Sequence, residues 1–410
     1  MMPEFLSRPT PAAVLAALPG ARAVGGAVRD HLAGRPIHDV DVAAPFPPDV
    51  IAARLRDAGL RVFETGLSHG TVTALADREG VEVTALRRDV ATDGRHAAVE
   101  WITDWAEDAA RRDFTINAMS MGADGVLHDY FGGADDLRAG RVRFVGDAGA
   151  RIAEDYLRAL RFFRFWARYG QGAPDAAAVA AIRDAVPGLA RLSRERVWME
   201  IKRLLQAPDP RDALRLMAGL GVLAAVLPEA GDAARLDVLM AWQAAHPGRE
   251  QRARDPLLRF ASLLPLGTHI EPLRERLRMS DAEARRLAAL HDVRDVRSPV
   301  PAHGKGVTLR EARARVRQRT KAAVLGELVL IKAAEERDQD YGPLLEDSYF
   351  DAGEDFPLQG RDAIAAGIAP GPLMGALLAA TRDWWLDGGA TADHAACLAK
   401  LRELAQNPAP

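Results

Sequence analysis

The sequence contains one cysteine, Cys397, in 410 residues. That excludes an internal disulfide framework and a cysteine-rich zinc site. Long hydrophobic runs are missing too. Apolar stretches such as Ala218–Leu227 are interrupted and fall well short of the ~20 residues that cross a bilayer. The first residues lack a basic region followed by an apolar core, so no secretory signal is expected and a cytoplasmic protein is the simplest expectation. An excess of one charge sign is also absent, the formal net charge being -3. A nucleic acid would therefore have to be attracted by locally basic surface rather than by the protein as a whole.

What is present describes a folded chain. Hydrophobic residues at 48% with 27% charged residues fit a globular protein rather than a disordered one. At ~100–200 residues per domain, the length predicts two to four domains. Residues 20–145 carry short β-rich runs at Arg22–Val24, Ile37–Val42, Thr71–Leu75, Val81–Leu86, Val126–Tyr130 and Arg141–Val145, separated by glycine turns and a few helical stretches. From about Ile152 the chain turns to Ala, Leu, Arg and Glu with apolar residues at helical spacing. Pro and Gly clusters at Ala207–Pro210, Ser298–Gly306 and Gly367–Pro372 divide these helices. The expected fold is an α/β head with one modest mixed sheet, followed by an all-α body.

Four segments carry chemistry. The run Arg22–Val24 reads as a strand and leads through Gly25-Gly26 into a helix from Ala27 to Leu32. Glycines at a strand-to-helix turn let backbone approach a phosphate, and a helix N-terminus favours an anion. Arg29 is expected in the first turn, within reach of triphosphate oxygens. Alone, Gly-Gly is only a turn.

The next run, Ile37–Val42, places Asp39 and Asp41 on one face of an expected strand, with Val40 and Val42 on the other. Adjacent carboxylates repel unless a cation sits between them, and Mg²⁺ is the natural candidate. Such a pair can hold metals that activate a hydroxyl and stabilise a leaving pyrophosphate. Third, Arg111 to Met119 surrounds an apolar stretch with Arg112, Asp113 and Asn117. A nucleotide's phosphates and ribose could partner these groups, and an Arg–Asp pair capping a helix is the plainer alternative. Fourth, Asp155, Arg158, Arg161 and Arg164 recur every three residues on a helix expected from Glu154 to Arg168. Phe162, Phe165 and Trp166 lie outside its apolar stripe, so the arginines are expected among aromatic neighbours, as in a cleft lined with fixed donors.

Together these segments resemble the class II tRNA nucleotidyltransferase and bacterial poly(A) polymerase family. The matching stretches are GGAVRD (25–30) with DVD (39–41), RRDFTINAM (111–119), DYFGGADDL (129–137), EDYLRALRFFRF (154–165) and LSRERVWMEIKRLL (192–205). They occur in the family's order over roughly the first half of the chain. The resemblance implies a nucleotidyltransferase head over 1–148, a helical neck with a nucleotide-selecting helix over 149–210, a body over 211–345 and a tRNA-binding tail over 346–410. It implies that Asp39 and Asp41 ligate catalytic Mg²⁺. Gly25, Gly26 and Arg29 would then face the incoming triphosphate, and Arg112, Asp113 and Asn117 the phosphate or ribose. Asp155 and Arg158 would select the base, supported by Arg161 and Arg164. The implied reaction adds C and A from CTP and ATP to tRNA, with a poly(A) polymerase or a CC- or A-only enzyme as alternatives. A non-catalytic RNA-binding protein of the same fold is the reading from another class, and the intact Asp39/Asp41 pair disfavours it.

Selection can be stated physically. A carboxylate accepts from the exocyclic amino group of cytosine or adenine, while a guanidinium donates to the neighbouring ring nitrogen. Uracil and guanine present an oxygen there and are rejected. Thr65–Thr73 has no Lys or Arg, which is more like the tRNA-repairing branch. Arg87–Glu100 falls where the family has its flexible loop but is short and lacks the Arg-Arg-Pro pattern of some relatives, and Glu82 is open between an additional acidic group near the metals and a solvated strand glutamate. Two basic segments, Arg310–Lys321 and Arg274–Arg278, are open between tRNA backbone contacts and helices paired with nearby glutamates. Gly360–Gly375 resembles the tail that grips the substrate's elbow, and Trp384-Trp385 is expected to pack the tail. His291-Asp292 lacks the flanking ligands of a metal phosphohydrolase.

Overall fold

The computed structural model describes residues 2–66, 70–76, 79–92, 97–231, 233–245, 255–265, 268–291, 356–387 and 392–406. It divides into two compact units, Met1–Pro228 and Glu229–Pro410.

The first unit opens with α1 (Glu4–Ser7), α2 (Pro9–Ala17), β1 (Arg22–Val24), α3 (Gly26–Leu32), β2 (Asp41–Ala44) and α4 (Pro48–Asp57). There follow β3 (Arg61–Gly66), β4 (Thr71–Ala76), β5 (Glu79–Ala85), β6 (Arg87–Thr92), β7 (Ala97–Trp101) and α5 (Trp105–Ala110). A 3₁₀ turn at Thr115–Asn117 leads to β8 (Ser120–Gly122), β9 (Leu127–His128) and α6 (Gly133–Arg138). Helices complete the unit: α7 (Ala148–Glu154), α8 (Leu157–Tyr169), α9 (Ala176–Ala185), α10 (Arg194–Leu205), α11 (Arg211–Gly219) and α12 (Val222–Val226).

Seven strands form a mixed sheet in the order β3-β4-β5-β2-β1-β8-β9, in which only β2 and β5 run parallel. Alternation along the strands sorts its two faces. Ala23, Val42, Ala44, Val72, Ala74, Val81 and Val83 join a core with Val14, Leu15, Val28, Ile51 and Leu55 from the helices. Pro48 starts α4 where its missing N–H costs nothing, and Ile51 and Leu55 one turn apart point at the sheet. Full burial of each such side chain stabilises by ~1.5–3 kcal/mol. The opposite face, with Val24 and Ala43, is covered in part by Leu86, Ile102 and Trp105, and it carries Asp41.

Four local expectations are corrected. The strand expected at Ile37–Val42 begins only at Asp41. Its partner β1 ends at Val24, opposite Asp41, and Gly25 with φ 63° turns the chain away, leaving earlier residues without a ladder. Arg141–Val145 is no strand, forming a single bridge between Phe144 and Phe114, whereas β3 and β8 complete the sheet. The segment Arg87–Glu100 is a two-stranded hairpin, β6–β7, rather than a plain loop, with 93–96 outside the described residues. Finally, the helix expected from Glu154 to Arg168 is two helices. Asp155 is extended at φ -152°, and its Oδ1 accepts the Leu157 N–H at 3.0 Å, starting α8 afresh.

The described part of the second unit is helical: α13 (Ala234–Ala245), α14 (Pro256–Leu263), α15 (Ile270–Leu277), α16 (Asp281–His291), α17 (Gly360–Ala365), α18 (Pro372–Asp387) and α19 (His394–Gln406). Trp385 and Cys397 are buried in the core of the last three, while Trp384 is 37% exposed. In the basic segment Arg274–Arg278, Arg274 bonds Glu271 and Asp281, and Arg276 pairs with Glu229. That is the glutamate-paired reading. The segment Arg310–Lys321 lies outside the described residues. Among the described residues no helix is long and apolar enough to cross a membrane.

Candidate active site

The acidic pair sits where β2 begins. Asp39 and Asp41 are exposed while Val40 and Val42 are buried, as the alternation predicts. Parallel pairing places Glu82 of β5 in register with Asp41. Packing of protein around Asp41 pushes its carboxyl above the ordinary value, and the Glu82 charge pushes in the same direction. The Arg112 guanidinium opposes these, and Asp39 adds a smaller upward push. Negative charge that Arg112 offsets only in part is therefore gathered around Asp41.

Beside it lies the Gly25-Gly26 turn. Gly25 adopts φ 63° and ψ -115°, a region open essentially to glycine. A Cβ there would stand 3.3 Å from Arg112 Nη1. The guanidinium of Arg112 thus lies directly against the turn. Arg29 is the fourth residue of the seven in α3, where its first and last turns meet. It is buried, and its guanidinium stacks on Tyr169 at 4.5 Å and Phe165 at 5.2 Å.

One hydrogen-bonded chain joins three of the motifs. Arg29 Nη1 donates to Asn117 Oδ1 at 2.5 Å, and Asn117 Nδ2 donates to Asp113 Oδ1 at 3.1 Å. Arg161 Nε of α8 donates to Asp113 Oδ2 at 2.6 Å. Burial alone would raise the Asp113 carboxyl, but Arg161, Asn117 and the Phe114 N–H together hold it below the ordinary value. Phe114 fixes this segment. Its ring is fully buried against Phe144 at 4.8 Å and Phe165 at 5.2 Å, which locks Asp113 onto α8. The expected arginine–aromatic environment is present, with Arg164 over Phe165 at 4.1 Å.

The fourth motif is only partly assembled. Arg158 and Arg161 share α8, but Asp155 precedes that helix. Asp155 Oδ2 accepts from Arg196 Nη2 of α10 at 2.6 Å. Arg158 Nη1 donates to Glu154 Oε2 at 2.5 Å, and its Nη2 to the Arg111 carbonyl at 3.1 Å. Arg164 Nε donates to Glu200 Oε2 at 2.7 Å; burial lowers its pKa, with Glu200 opposing.

Sequence reasoning passed over several residues in this network. Asp30 accepts from Arg29 and from the Tyr169 hydroxyl at 2.5 Å. Asp108 bonds Arg111 and Arg112, and Glu200 holds Arg164. Asp108 lies four residues before Arg112 and Glu154 four before Arg158, but each pair runs past the end of its helix, so helical spacing alone does not account for either. Nothing in the sequence marked Glu200 or Arg196 as partners of α8 or Asp155.

Residues 21–143 match the poly A polymerase head domain, and residues 174–233 match a region described as a probable RNA and SrmB-binding site of polymerase A. Over 371 residues the chain is 38% identical to a mitochondrial CCA tRNA nucleotidyltransferase 1 of Danio rerio, covering 89% of this chain and 83% of that protein. Its counterpart in Mus musculus is 37% identical over 374 residues, covering 90% and 83%. The fold is similar to that of the Bacillus stearothermophilus CCA-adding enzyme crystallised with CTP, with a TM-score of 0.66, 27% identity and coverage of 97% and 98% of the two chains. The glycine turn, the acidic strand and the arginine-bearing helix therefore stand in a chain that belongs to the CCA tRNA nucleotidyltransferase family.

Proposed function

We propose that this protein adds C and A residues to the 3′ end of tRNA without a nucleic-acid template, consuming CTP and ATP and releasing pyrophosphate. The observation that carries this is the continuous chain Arg29–Asn117–Asp113–Arg161, with Arg112 against the glycine turn and Asp41 on the adjoining sheet face. A solvated basic surface needs no such fixed donors.

Asp39 and Asp41 would hold Mg²⁺. The donors are hard oxygens, and the Asp41 carboxyl is raised by burial first and by the Glu82 charge second, with Arg112 offsetting only part of this. Among the described residues no three acidic or histidine side chains form a ready-made cage. That suits an ion that completes its shell with substrate phosphates and water. When bound, such an ion would supply activation of the 3′-hydroxyl and neutralisation of charge on the pyrophosphate.

The remaining work belongs to the chain itself. Gly25 and Gly26 admit the triphosphate, Arg29 and Arg112 hold it, and Asp113 with Asn117 faces the ribose. Asp155 accepts from the amino group of C or A while Arg158 donates to the ring nitrogen, supported by Arg161 and Arg164. For this the Asp155–Arg196 and Arg158–Glu154 pairs must open. We further read 149–210 as the selecting neck, 211–345 as body and 346–410 as tRNA-gripping tail. A cytoplasmic location is the reading we adopt from the sequence.

The test is incubation with tRNA lacking its 3′ end, Mg²⁺ and each nucleotide, followed by sequencing of product ends. Addition of CCA is expected. Absence of C and A incorporation would sink the proposal, and a long A tail would move the chain to the polyadenylating branch. Tight tRNA binding without turnover would make it a binding protein.

A further inference from the structure

One buried acid has no part in the chemistry above. Asp108 of α5 is 2% exposed. Isolated, such a carboxylate would be expensive to bury, and it is compensated by donors from three places. Its Oδ1 accepts from Arg111 Nε at 2.9 Å, from Arg111 Nη2 at 2.7 Å, and from the Arg87 N–H at 3.3 Å. Its Oδ2 accepts from Arg112 Nη2 at 3.2 Å. Burial raises the carboxyl, but Arg111, Arg112 and the Arg87 N–H together hold it below the ordinary value, so it stays ionised.

The placement of these donors gives the residue a role. Arg87 is the first residue of β6, at the root of the β6–β7 hairpin. Arg112 reaches in the other direction, its Nη1 lying 3.3 Å from where a Cβ on Gly25 would stand. One guanidinium thus bonds Asp108 through Nη2 while its Nη1 lies beside the glycine turn. Arg88 adds a second, exposed tie from the hairpin to α5, donating to Glu107 at 3.2 Å.

We infer that Asp108 is a positioning residue that holds Arg112 against the glycine turn and ties it to the root of the β6–β7 hairpin. This rests on the reading of Arg112 as a nucleotide contact.

The experiment is a double-mutant cycle in the full-length protein, with KM for CTP and kcat measured on a tRNA acceptor. Asp108→Asn is nearly isosteric, removes the charge and turns one of the two acceptor oxygens into an NH2 donor that faces arginine N–H groups. It is expected to raise KM for CTP about tenfold with kcat within about threefold, since a charged hydrogen bond that orients a ground-state contact is lost. In an Arg112→Ala background the same change should have almost no further effect, because the residue through which it acts is gone. An equal effect in both backgrounds overturns the inference and leaves Asp108 a structural acid, as does an unchanged KM in Asp108→Asn. If Arg112→Ala itself leaves KM unchanged, the nucleotide-contact reading of Arg112 fails instead. Should Asp108→Asn not fold, Arg112→Lys tests the same point from the other end. Lysine keeps the charge but cannot engage two sites with one fork. It should resemble Arg112→Ala within about threefold, and wild-type KM would overturn the inference.

Discussion

The Asp155 carboxylate accepts from the Arg196 guanidinium at 2.6 Å and not from the guanidinium of Arg158, which donates to Glu154 at 2.5 Å. The proposed base-reading acceptor and donor are neighbours in sequence, yet each is held by a different partner. An incoming base therefore has to compete with protein for the same lone pairs and N–H groups.

Arg158→Ala should relax the choice of base while leaving metal binding intact. Loss of a charged hydrogen bond is worth ~1.5–3 kcal/mol, so discrimination of CTP against UTP should fall by about ten- to a hundredfold. Competition assays with paired nucleotides measure this, and unchanged selectivity would count against the assignment. Arg196→Ala frees the Asp155 carboxylate and should leave selectivity closer to wild type than Arg158→Ala does.

Asp41→Asn should separate stability from activity. Crowding by protein and by Glu82 raises the Asp41 carboxyl, so the charged form is disfavoured in the folded state. The sign follows: this residue's contribution is most favourable below the ordinary carboxylate pKa and is lost as pH rises through the raised value. Asparagine removes the repulsion, so the metal-free variant should melt above wild type at neutral pH. Turnover should fall by about a thousandfold or more, because metal stabilisation of transition-state charge is worth several kcal/mol. A variant that melts lower would contradict the charge argument.

Gly25→Ala tests the turn. Its φ of 63° and ψ of -115° are strained for any side chain, and the new Cβ would meet Arg112 Nη1 at 3.3 Å. A stability loss of ~1–3 kcal/mol and a raised KM for CTP are expected. Denaturant titration and steady-state kinetics on one preparation decide this, and a fully active, equally stable variant would refute it.

His291 sets an acid limit in the second unit. Burial, with help from Arg235, pushes its imidazole down to about 4. The unfolded chain therefore binds a proton at a pH where the folded chain does not. Stability is complete above about 6.5 and falls as pH drops toward 4, by up to ~3 kcal/mol. Melting of wild type and His291→Leu should diverge across that window, with the variant less sensitive to acid. Parallel pH profiles would disprove the assignment.

Particular residues show how much was legible. Asp39 and Asp41 followed from period two, with Val40 and Val42 buried opposite, although the strand itself starts only at Asp41. Gly25 could be read because a strand running into a helix with two glycines needs a special turn. The sequence-based reading of Glu154 to Arg168 as one helix failed because helical spacing is blind to a single extended residue whose side chain caps the next helix. Arg87–Glu100 read as a loop because its pairing depends on a hairpin register that composition does not encode.

The sequence by itself determined the chemistry: which residue types stand together in short segments, and hence a family of reactions. Period, spacing and turn residues are local properties, and they survive without tertiary contacts. Only the tertiary structure decided which partner each charge takes. Asp113 meets Arg161 across 48 residues, and Arg164 meets Glu200 across 36. Those pairings are set by which helix faces pack. A half-buried charge bonds whatever opposite group the packing brings within about 3 Å, and no local pattern specifies that choice.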